Sequence, residues 1–399
     1  MGTPSAPDYD GAHLRHVLTS AAAALGVGGF SNQLNLPESS ITVVILADGL
    51  GDQNLAGHTG HARFLSRPWR SAQQGRSLDT GAPTTTAASL TSLGTGLTPG
   101  EHGMVGYDVF APHLGRVVNM LGSWDAEVDP ISWQPEPTVL GAAEASGTEV
   151  LTVSRPQFRD SPLTRAALRG GQFAGSSTIA GRFGLAADWI AGHRPRTATL
   201  RRGPMPKLLV YLYIDELDKT GHNLGVGSAK WVTMLENVDA AAAQFSRQLK
   251  ERFGAQASVL LTADHGMINV AQQNRIDISE RADLLRSVRH TGGEPRMVQL
   301  YTEPGAAEQV RSVWQQEFGD LVWAVTAEEA LAAGWFGPVR AGVRPRIGDV
   351  LIAARQEAAI FHTDRTGTQP LSMVGQHGSL TEAERRVPLL ELTGRGFAD

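Results

Sequence analysis

SITVVILAD, residues 40–48, is a run of β-branched and other apolar residues that ends in an aspartate. Such a run is typical of a strand that is buried on both faces, as in a parallel sheet. KLLVYLYIDELD at 207–218 and SVLLTADHG at 258–266 repeat the pattern, and a helical pattern at 232–253 lies between them. Strands that alternate with helices predict an α/β fold: a doubly wound, mostly parallel sheet with helices on both faces.

Side chains that can bind a metal stand where these strands are predicted to end. Asp48 closes the first strand, Asp218 the second, and Asp264 with His265 the third. In open α/β sheets, ligands bind beyond the carboxyl ends of the strands, so we expect these groups to meet at one edge of the sheet. Each also has an ordinary explanation when taken singly, since an aspartate before glycine is typical of a turn.

Two more histidines and a threonine extend this set. His222 follows Asp218 by four residues, so on a helical turn the two would share a face and could hold one metal. His377 lies in a predicted loop at 375–380. Thr86 ends a run of three threonines that enters a predicted helix, where it either caps the helix or offers its hydroxyl beside a bound phosphoryl group. Three carboxylates, three imidazoles and one hydroxyl are what a site with two divalent metals and an alcohol nucleophile requires.

The composition narrows the class of substrate. The 399 residues include no cysteine, which excludes disulfides, thiolate nucleophiles and cysteine-ligated zinc. A formal net charge of −5 offers no basic excess for a nucleic-acid backbone. The N-terminal residues do not resemble a signal peptide, and no stretch approaches about 18 apolar residues, so we expect no membrane span. We therefore expect a cytoplasmic protein that binds a small anionic substrate, with no prediction of its oligomeric state.

Five segments of the chain, in this order and spacing, resemble the nucleotide pyrophosphatase/phosphodiesterase family of the alkaline phosphatase superfamily. They are ADG at 47–49, PTTTAASLTSLGTGLTPGEHG at 83–103, IDELDKTGH at 214–222, TADHG at 262–266 and GQHG at 375–378.

The resemblance implies two zinc ions, or other divalent metals, and a covalent phospho-threonine intermediate on Thr86. It implies that one metal is held by Asp218, His222 and His377. It implies that the other, which also binds and activates Thr86, is held by Asp48, Asp264 and His265. The predicted partner is a small phosphorus-containing anion, and neither nucleic acid nor membrane is expected.

Position 107 departs from the family pattern. The family carries an asparagine after the nucleophile helix that donates to a phosphoryl oxygen, and that position falls on Tyr107 here. A tyrosine hydroxyl could donate to the phosphoryl group, or the ring could simply pack. Ala87 and Ala88 follow Thr86 where the family has an aromatic-containing stretch, so stacking of a nucleobase is not predicted.

The patterns along the chain, together with the span of the resemblance, predict the domain organisation. We expect a tail and helix at 1–35, with residues 1–12 disordered, and an alkaline phosphatase-like catalytic core at 36–274 and 346–399. A small inserted α+β subdomain is expected at 275–345. GDVLIAAR at 348–355 is predicted to return to the core, RPRTATLRRG at 194–203 to be a solvated connection, and the 104–206 region and the insertion to shape the pocket.

The predicted function is hydrolysis of phosphate diesters or pyrophosphates. A phosphomonoesterase or a phosphonate hydrolase remains open because either would use the same metal set. An inactive protein that binds metal or phosphate is disfavoured by the complete residue set. A sulfatase is excluded because no cysteine or suitable serine can become formylglycine, and a nicotinamide enzyme because the loop after Asp48 lacks the third glycine of a dinucleotide motif.

Overall fold

The computed structural model describes residues 4–122, 124–193 and 205–396. The segment predicted as a solvated connection, 194–203, lies outside the described residues. No helix in the described ranges has both the length and the apolar character needed to cross a membrane.

The strands are numbered in chain order: β1 Ile41–Ala47, β2 Gly75–Asp79, β3 Asp108–Ala111, β4 Arg116–Asn119, β5 Glu149–Ser154, β6 Gln172–Gly175, β7 Leu208–Ile214, β8 Ala257–Thr262, β9 Ile268–Asn269, β10 Arg275–Asp277, β11 Val288–Glu294, β12 Met297–Thr302, β13 Val322–Thr326, β14 Val350–Ala354, β15 Ala359–Phe361, β16 Gly375–Gln376 and β17 Arg386–Glu391.

The α-helices are numbered in the same way: α1 His16–Ala24, α2 Asp52–Gly57, α3 Ser66–Trp69, α4 Thr86–Thr95, α5 Pro99–His102, α6 Pro130–Trp133, α7 Val139–Ala145, α8 Pro162–Ala167, α9 Ile179–Gly192, α10 Glu216–Leu224, α11 Ala229–Phe253, α12 Ala282–Leu285, α13 Ala307–Phe318, α14 Ala327–Ala332, α15 Thr363–Thr366 and α16 Glu382–Arg385.

The first sheet has seven strands in the order β2-β17-β8-β1-β7-β5-β6. The five strands from β8 to β6 run parallel, whereas β17 is antiparallel to both of its neighbours. Every residue of β1, β7 and β8 is buried. Successive side chains of a strand point to opposite faces, so helices and loops must cover both faces of the sheet. The predicted doubly wound, mostly parallel α/β fold is therefore confirmed.

The register of the central strands places their carboxyl ends at one edge. Leu46 of β1 pairs with Tyr213 of β7 on one side and with Thr262 of β8 on the other. The polar residues that follow β1 and β8 consequently emerge at the same level, which is what brings Asp48 and Asp264 together.

Helix α11 shows how the local sequence builds the covering layer. The Ser228 hydroxyl accepts a hydrogen bond from the Trp231 backbone N–H at 3.3 Å and so caps the first turn. Glycine at 254, with φ of +52°, ends the helix. The buried side chains recur every three or four residues, as expected for one apolar face: Trp231, Leu235, Val238, Ala242, Phe245, Leu249 and Phe253.

A second, antiparallel sheet of six strands has the order β13-β14-β12-β11-β3-β4. It has its own apolar cluster, which includes Leu300, Trp314 and Ile352. Strand β14, from the segment GDVLIAAR that was predicted to return to the core, pairs within this second sheet, while its Leu351 and Ala353 pack in the main apolar cluster. Strands β3 and β4 join it as well, so the sheet crosses the limits proposed at 275 and 346, and that division stays a prediction.

Two other expectations need correction. The segment 4–12 is not disordered, because the Tyr9 hydroxyl donates to the Trp335 carbonyl at 2.6 Å and the Asp79 N–H donates to the Ala12 carbonyl at 2.8 Å. The strand predicted over 207–218 ends at Ile214, and helix α10 begins at Glu216.

Candidate active site

The structure brings all seven predicted site residues to the carboxyl edge of the first sheet. They come from five places: the end of β1, the end of β8, helix α10, the first position of α4, and the loop after β16. The residues are Asp48, Thr86, Asp218, His222, Asp264, His265 and His377.

Asp218 and His222 reach the site from a helix rather than from a strand end. They are four residues apart on α10, and Asp218 Oδ1 lies 3.3 Å from His222 Nε2. The shared face that the spacing predicted is therefore present, although the position of Asp218 at a strand end was wrong.

The three imidazoles have the same tautomer. Nδ1 contacts a backbone carbonyl in each ring: Gly375 for His222 at 2.8 Å, Gly266 for His265 at 3.1 Å, and Thr84 for His377 at 2.8 Å. A carbonyl oxygen can only accept, so each Nδ1 carries the hydrogen and each Nε2 of a neutral ring carries a lone pair. The Nε2 atoms of His222 and His377 face each other at 3.3 Å, and two lone pairs cannot bond without a cation between them.

Three carboxylate oxygens in the site are buried and have no hydrogen-bond partner among the described residues: Asp48 Oδ1, Asp218 Oδ1 and Asp264 Oδ2. Buried polar atoms are nearly always paired in native proteins, so these three require an explanation. The two oxygens of Asp264 differ in this respect. Oδ1 accepts hydrogen bonds from the N–H groups of Gly49 at 3.2 Å and His265 at 3.1 Å, whereas Oδ2 has no partner among the described residues.

These free atoms form two clusters with dimensions that suit a metal. Two ligand atoms on a tetrahedral zinc lie about 3.3 Å apart, given the usual zinc–ligand bond lengths. In the first cluster, His222 Nε2 lies 3.3 Å from both Asp218 Oδ1 and His377 Nε2. In the second, His265 Nε2 lies 3.3 Å from Asp48 Oδ1 and 3.5 Å from Asp264 Oδ2.

The two clusters adjoin each other through stacked imidazoles. The rings of His265 and His377 are 3.6 Å apart and nearly parallel. The ligand atoms of Asp218, His265 and His377 also lie within 4.8 Å of one another, so His265 stands between the clusters. We assign His222 to the first cluster because its Nε2 is 3.3 Å from both other members.

The electrostatics of the site are those of a cation-binding centre. Burial is the largest cause that raises the pKa of Asp48 well above its usual value, and the neighbouring carboxylates of Asp264 and Asp218 raise it further. Burial is also the largest cause that holds the pKa of His377 well below its usual value, and the neighbouring His265 and His222 lower it further. The carboxylates of the site lie close to one another, and so do the imidazoles. A bound cation would relieve the repulsion between the carboxylates.

Thr86 stands at the first position of α4, at the edge of the second cluster. Its Oγ1 lies 3.2 Å from His265 Nε2, the atom that carries a lone pair. Thr85, not Thr86, occupies the capping position, and no side chain caps this helix end. The first N–H groups of the ten-residue helix therefore lack intrahelical partners and, with the helix dipole, favour an anion beside the Thr86 hydroxyl.

A cleft of about 960 Å³ opens over Thr86, His222 and His377. Its other side is formed by the second sheet and the segments next to it, as the sequence predicted for the 104–206 region and the insertion. Tyr107 lines this cleft, its N–H donates to Glu294 Oε2 at 2.9 Å, and burial raises the pKa of its hydroxyl. The hydroxyl contacts the Asn119 side chain, so a contact between Tyr107 and a phosphoryl group stays a prediction.

Sequence reasoning missed two buried residues at the site. The Tyr213 hydroxyl donates to Asp48 Oδ2. Tyr211 and Tyr213 are two residues apart and therefore lie on the same face of β7. Two tyrosines on one face of a buried strand are a sequence signal from which Tyr213 could have been identified. Glu294 lines the cleft with Oε1 unpaired among the described residues, and burial raises its pKa well above the usual value. No sequence pattern marks Glu294.

Comparison with known proteins identifies both a matching family and structures of similar fold. A family model described as type I phosphodiesterase / nucleotide pyrophosphatase matches residues 42–380. A murine ectonucleotide pyrophosphatase / phosphodiesterase 5, an inactive variant in complex with AMP, is similar with a TM-score of 0.65 and 16% identity, over 88% of this chain and 87% of that one.

A phosphonoacetate hydrolase from Sinorhizobium meliloti in complex with phosphonoformate is similar with a TM-score of 0.62 and 20% identity, over 90% of this chain and 92% of that one. A further structure of that enzyme holds phosphonoacetate. At these identities the structural likeness establishes the fold alone.

Proposed function

We propose that this chain, which belongs to the type I phosphodiesterase / nucleotide pyrophosphatase family, is a metal-dependent hydrolase of phosphate diesters or pyrophosphates. Thr86 is the proposed nucleophile. One observation carries the proposal. Three orphaned carboxylate oxygens and three imidazole lone pairs converge beside a hydroxyl at a helix N-terminus. An arrangement that leaves so many buried polar atoms unpaired is explained by the cations that would pair them.

The residues present fit two divalent metals, and zinc suits the mixture of imidazole and carboxylate ligands. Asp218, His222 and His377 would hold one, and Asp48, Asp264 and His265 the other, with Thr86 beside it. When bound, the metals would supply positive charge that stabilises the phosphoryl group and lowers the pKa of a nearby hydroxyl.

The chain's own groups account for the covalent step. Thr86 Oγ1 gives up its proton to solvent and forms a bond to phosphorus, while the bond between phosphorus and the leaving oxygen breaks and the leaving group takes a proton from solvent. The N–H groups at the start of α4 stabilise the phosphoryl oxygens during this exchange. Water then attacks the same phosphorus, and Thr86 is released with its proton restored.

The cleft supports a small substrate. The structural neighbours named above hold AMP, phosphonoformate and phosphonoacetate, which are all small phosphorus compounds. The segment after Thr86 offers Ala87 and Ala88 rather than an aromatic ring, so the start of α4 provides no platform for a base. The leaving group is therefore a question for experiment.

A substrate panel with one preparation of the purified protein tests the proposed function. We expect about two equivalents of zinc or a similar metal per chain and hydrolysis of bis-p-nitrophenyl phosphate faster than of p-nitrophenyl phosphate. Pyrophosphates and phosphonoacetate complete the panel. Equal rates with the diester and the monoester would reject the diesterase assignment, and cleavage of the phosphonate alone would replace it with a phosphonate hydrolase.

A further inference from the structure

The carboxylate of Asp48 is held by a side chain that the metal-site hypothesis does not include. Each carboxylate of the second cluster leaves one oxygen free, so its other oxygen must be fixed for the free one to point at a metal. For Asp264 the backbone N–H groups of Gly49 and His265 do this. For Asp48 the hydrogen bond that the described residues provide to the carboxylate comes from the Tyr213 hydroxyl.

We infer that Tyr213 is a positioning residue: its hydroxyl fixes the carboxylate of Asp48 so that Oδ1 is presented as a metal ligand beside Thr86. The inference rests on the proposed function, because it assumes that the second cluster binds a metal.

The location of Tyr213 makes it a rigid anchor. It is the penultimate residue of β7 and pairs in register with Leu46, two residues before Asp48. Its side chain is buried, and its ring packs edge-on against Phe158 with centroids 5.9 Å apart. A ring held between a central strand and a packed neighbour cannot follow the carboxylate if that group turns, so the hydroxyl sets the direction of Asp48.

The consequence of this anchor appears on the opposite oxygen. Asp48 Oδ1 has no hydrogen-bond partner among the described residues and lies 3.3 Å from His265 Nε2. Loss of the hydroxyl would leave Oδ2 buried without a donor and would let the carboxylate rotate away from the cluster. Removal of a group that orients a metal ligand typically weakens metal binding about 10- to 100-fold.

Tyr211 is a matched control on the same strand. It lies two residues before Tyr213, on the same face of β7, and it is also buried. Its hydroxyl has no hydrogen-bond partner in the part of the chain that the structure describes. Tyr211→Phe therefore removes the same atom from the same environment without removing a contact to Asp48.

The test is zinc binding to the full-length metal-free protein, titrated in competition with a chromophoric chelator. Tyr213→Phe should weaken one of the two sites by about 10- to 100-fold and lower kcat with little change in KM, while Tyr211→Phe should match the wild type. Unchanged zinc affinity in Tyr213→Phe would overturn the inference. A wild-type protein that binds no zinc would instead reject the proposed function itself.

A double-mutant cycle separates positioning from a general effect on folding. In an Asp48→Ala background, Tyr213→Phe should produce no further loss of zinc affinity, because the group on which it acts is gone. A further loss as large as in the wild-type background would place the action of Tyr213 elsewhere and contradict the inference. Thermal unfolding of the metal-free variants checks that each one folds: Tyr213→Phe should still unfold cooperatively, but at a lower temperature than the wild type, because the buried Asp48 Oδ2 loses its donor.

Discussion

At the scale of single residues, the three threonines before α4 differ in what their hydroxyls contact. Thr84 Oγ1 donates to the Ser379 carbonyl at 2.8 Å and accepts from the Gly378 N–H at 3.1 Å, so this hydroxyl is committed to the loop that carries His377. Thr85 occupies the capping position without making a side-chain cap. Only Thr86 Oγ1, among the three, has a hydrogen-bond contact with the second cluster, 3.2 Å from His265 Nε2.

This distinction shows the limit of the sequence as a guide to the site. Helix capping preferences apply equally to all three threonines, so the choice of Thr86 came from the family resemblance. The hydrogen bonds of Thr84 depend on a loop almost three hundred residues away, and no local pattern reports such a contact.

Replacement of Thr86 by alanine should lower turnover of a diester by at least about 1,000-fold, because the nucleophile is removed. Zinc content should stay close to that of the wild type, since six nitrogen and oxygen ligands remain. Steady-state kinetics and metal analysis of the same sample measure both quantities.

Thr91→Ala is the matched control for this substitution. Thr91 is also buried on α4, but its hydroxyl donates to the Ala87 carbonyl within the helix at 2.7 Å. The Thr91 variant should keep activity within a few-fold of the wild type. Equal losses in the two variants would attribute the Thr86 effect to packing of α4 rather than to a nucleophile.

At the scale of elements, the two clusters lie on elements that differ in their exposure to solvent. The second cluster follows the central strands β1 and β8, and its Asp48 and His265 side chains are 3% and 0% exposed. The first cluster combines α10 with the loop after β16, and its Asp218 and His222 side chains are 14% and 22% exposed.

Helix α10 is also where the sequence reading failed. The apolar run of β7 ends at Ile214, but the predicted strand was extended past Asp215 and Glu216 to Asp218, and the helix start at Glu216 was missed. Acidic residues in the first turn, Glu216 and Asp218, are typical of a helix N-terminus because they complement the dipole. Helix-start preference and strand periodicity compete over these few residues, and the tertiary position of α10 decides between them.

The difference in exposure predicts stepwise loss of metal. A chelator such as dipicolinate should remove one equivalent of zinc quickly and the second slowly, because only the first cluster is open to solvent. Stopped-flow release of zinc into an indicator dye measures the two phases.

Asp218→Asn identifies which cluster gives which phase. It should abolish or greatly accelerate the fast phase and leave the slow phase in place. A single phase in the wild type, or loss of the slow phase in the variant, would contradict the proposed link between the exposure of a cluster and its rate of zinc release.

At the scale of the whole molecule, the centre of the first sheet was predictable, whereas the assembly of the second sheet was not, although the runs at 296–302, 321–326 and 348–355 that supply three of its strands have strand-like sequences. Three long apolar runs identified β1, β7 and β8, because strands buried on both faces have a strong composition signature. The second sheet contains the fully buried strands β12 and β14, but it also includes the four-residue strands β3 and β4, and it pairs β3 with β11, whose sequences lie far apart. Such pairings depend on contacts that one sequence does not reveal.

The same reasoning explains why the metal-binding set was easier to predict than the cleft. Five of the seven site residues, Asp48, Asp218, His222, Asp264 and His265, follow β1, β7 or β8 or lie on the helix after β7, and the register of these strands brings their ends to one edge. The opposite side of the cleft includes Tyr107, Glu294 and Arg365, and it exists only because the second sheet assembles. Substrate preference therefore rests on the part of the molecule that the sequence predicts least well.

The stereochemical course at phosphorus tests the central claim, a covalent intermediate on Thr86, most directly. The measurement is hydrolysis in oxygen-18 water of a phosphorothioate diester that has a single configuration at phosphorus. Attack by Thr86 followed by attack of water inverts the configuration twice, so the account predicts net retention in the product. Net inversion would show that water attacks the substrate directly, and it would contradict the role of Thr86 as nucleophile.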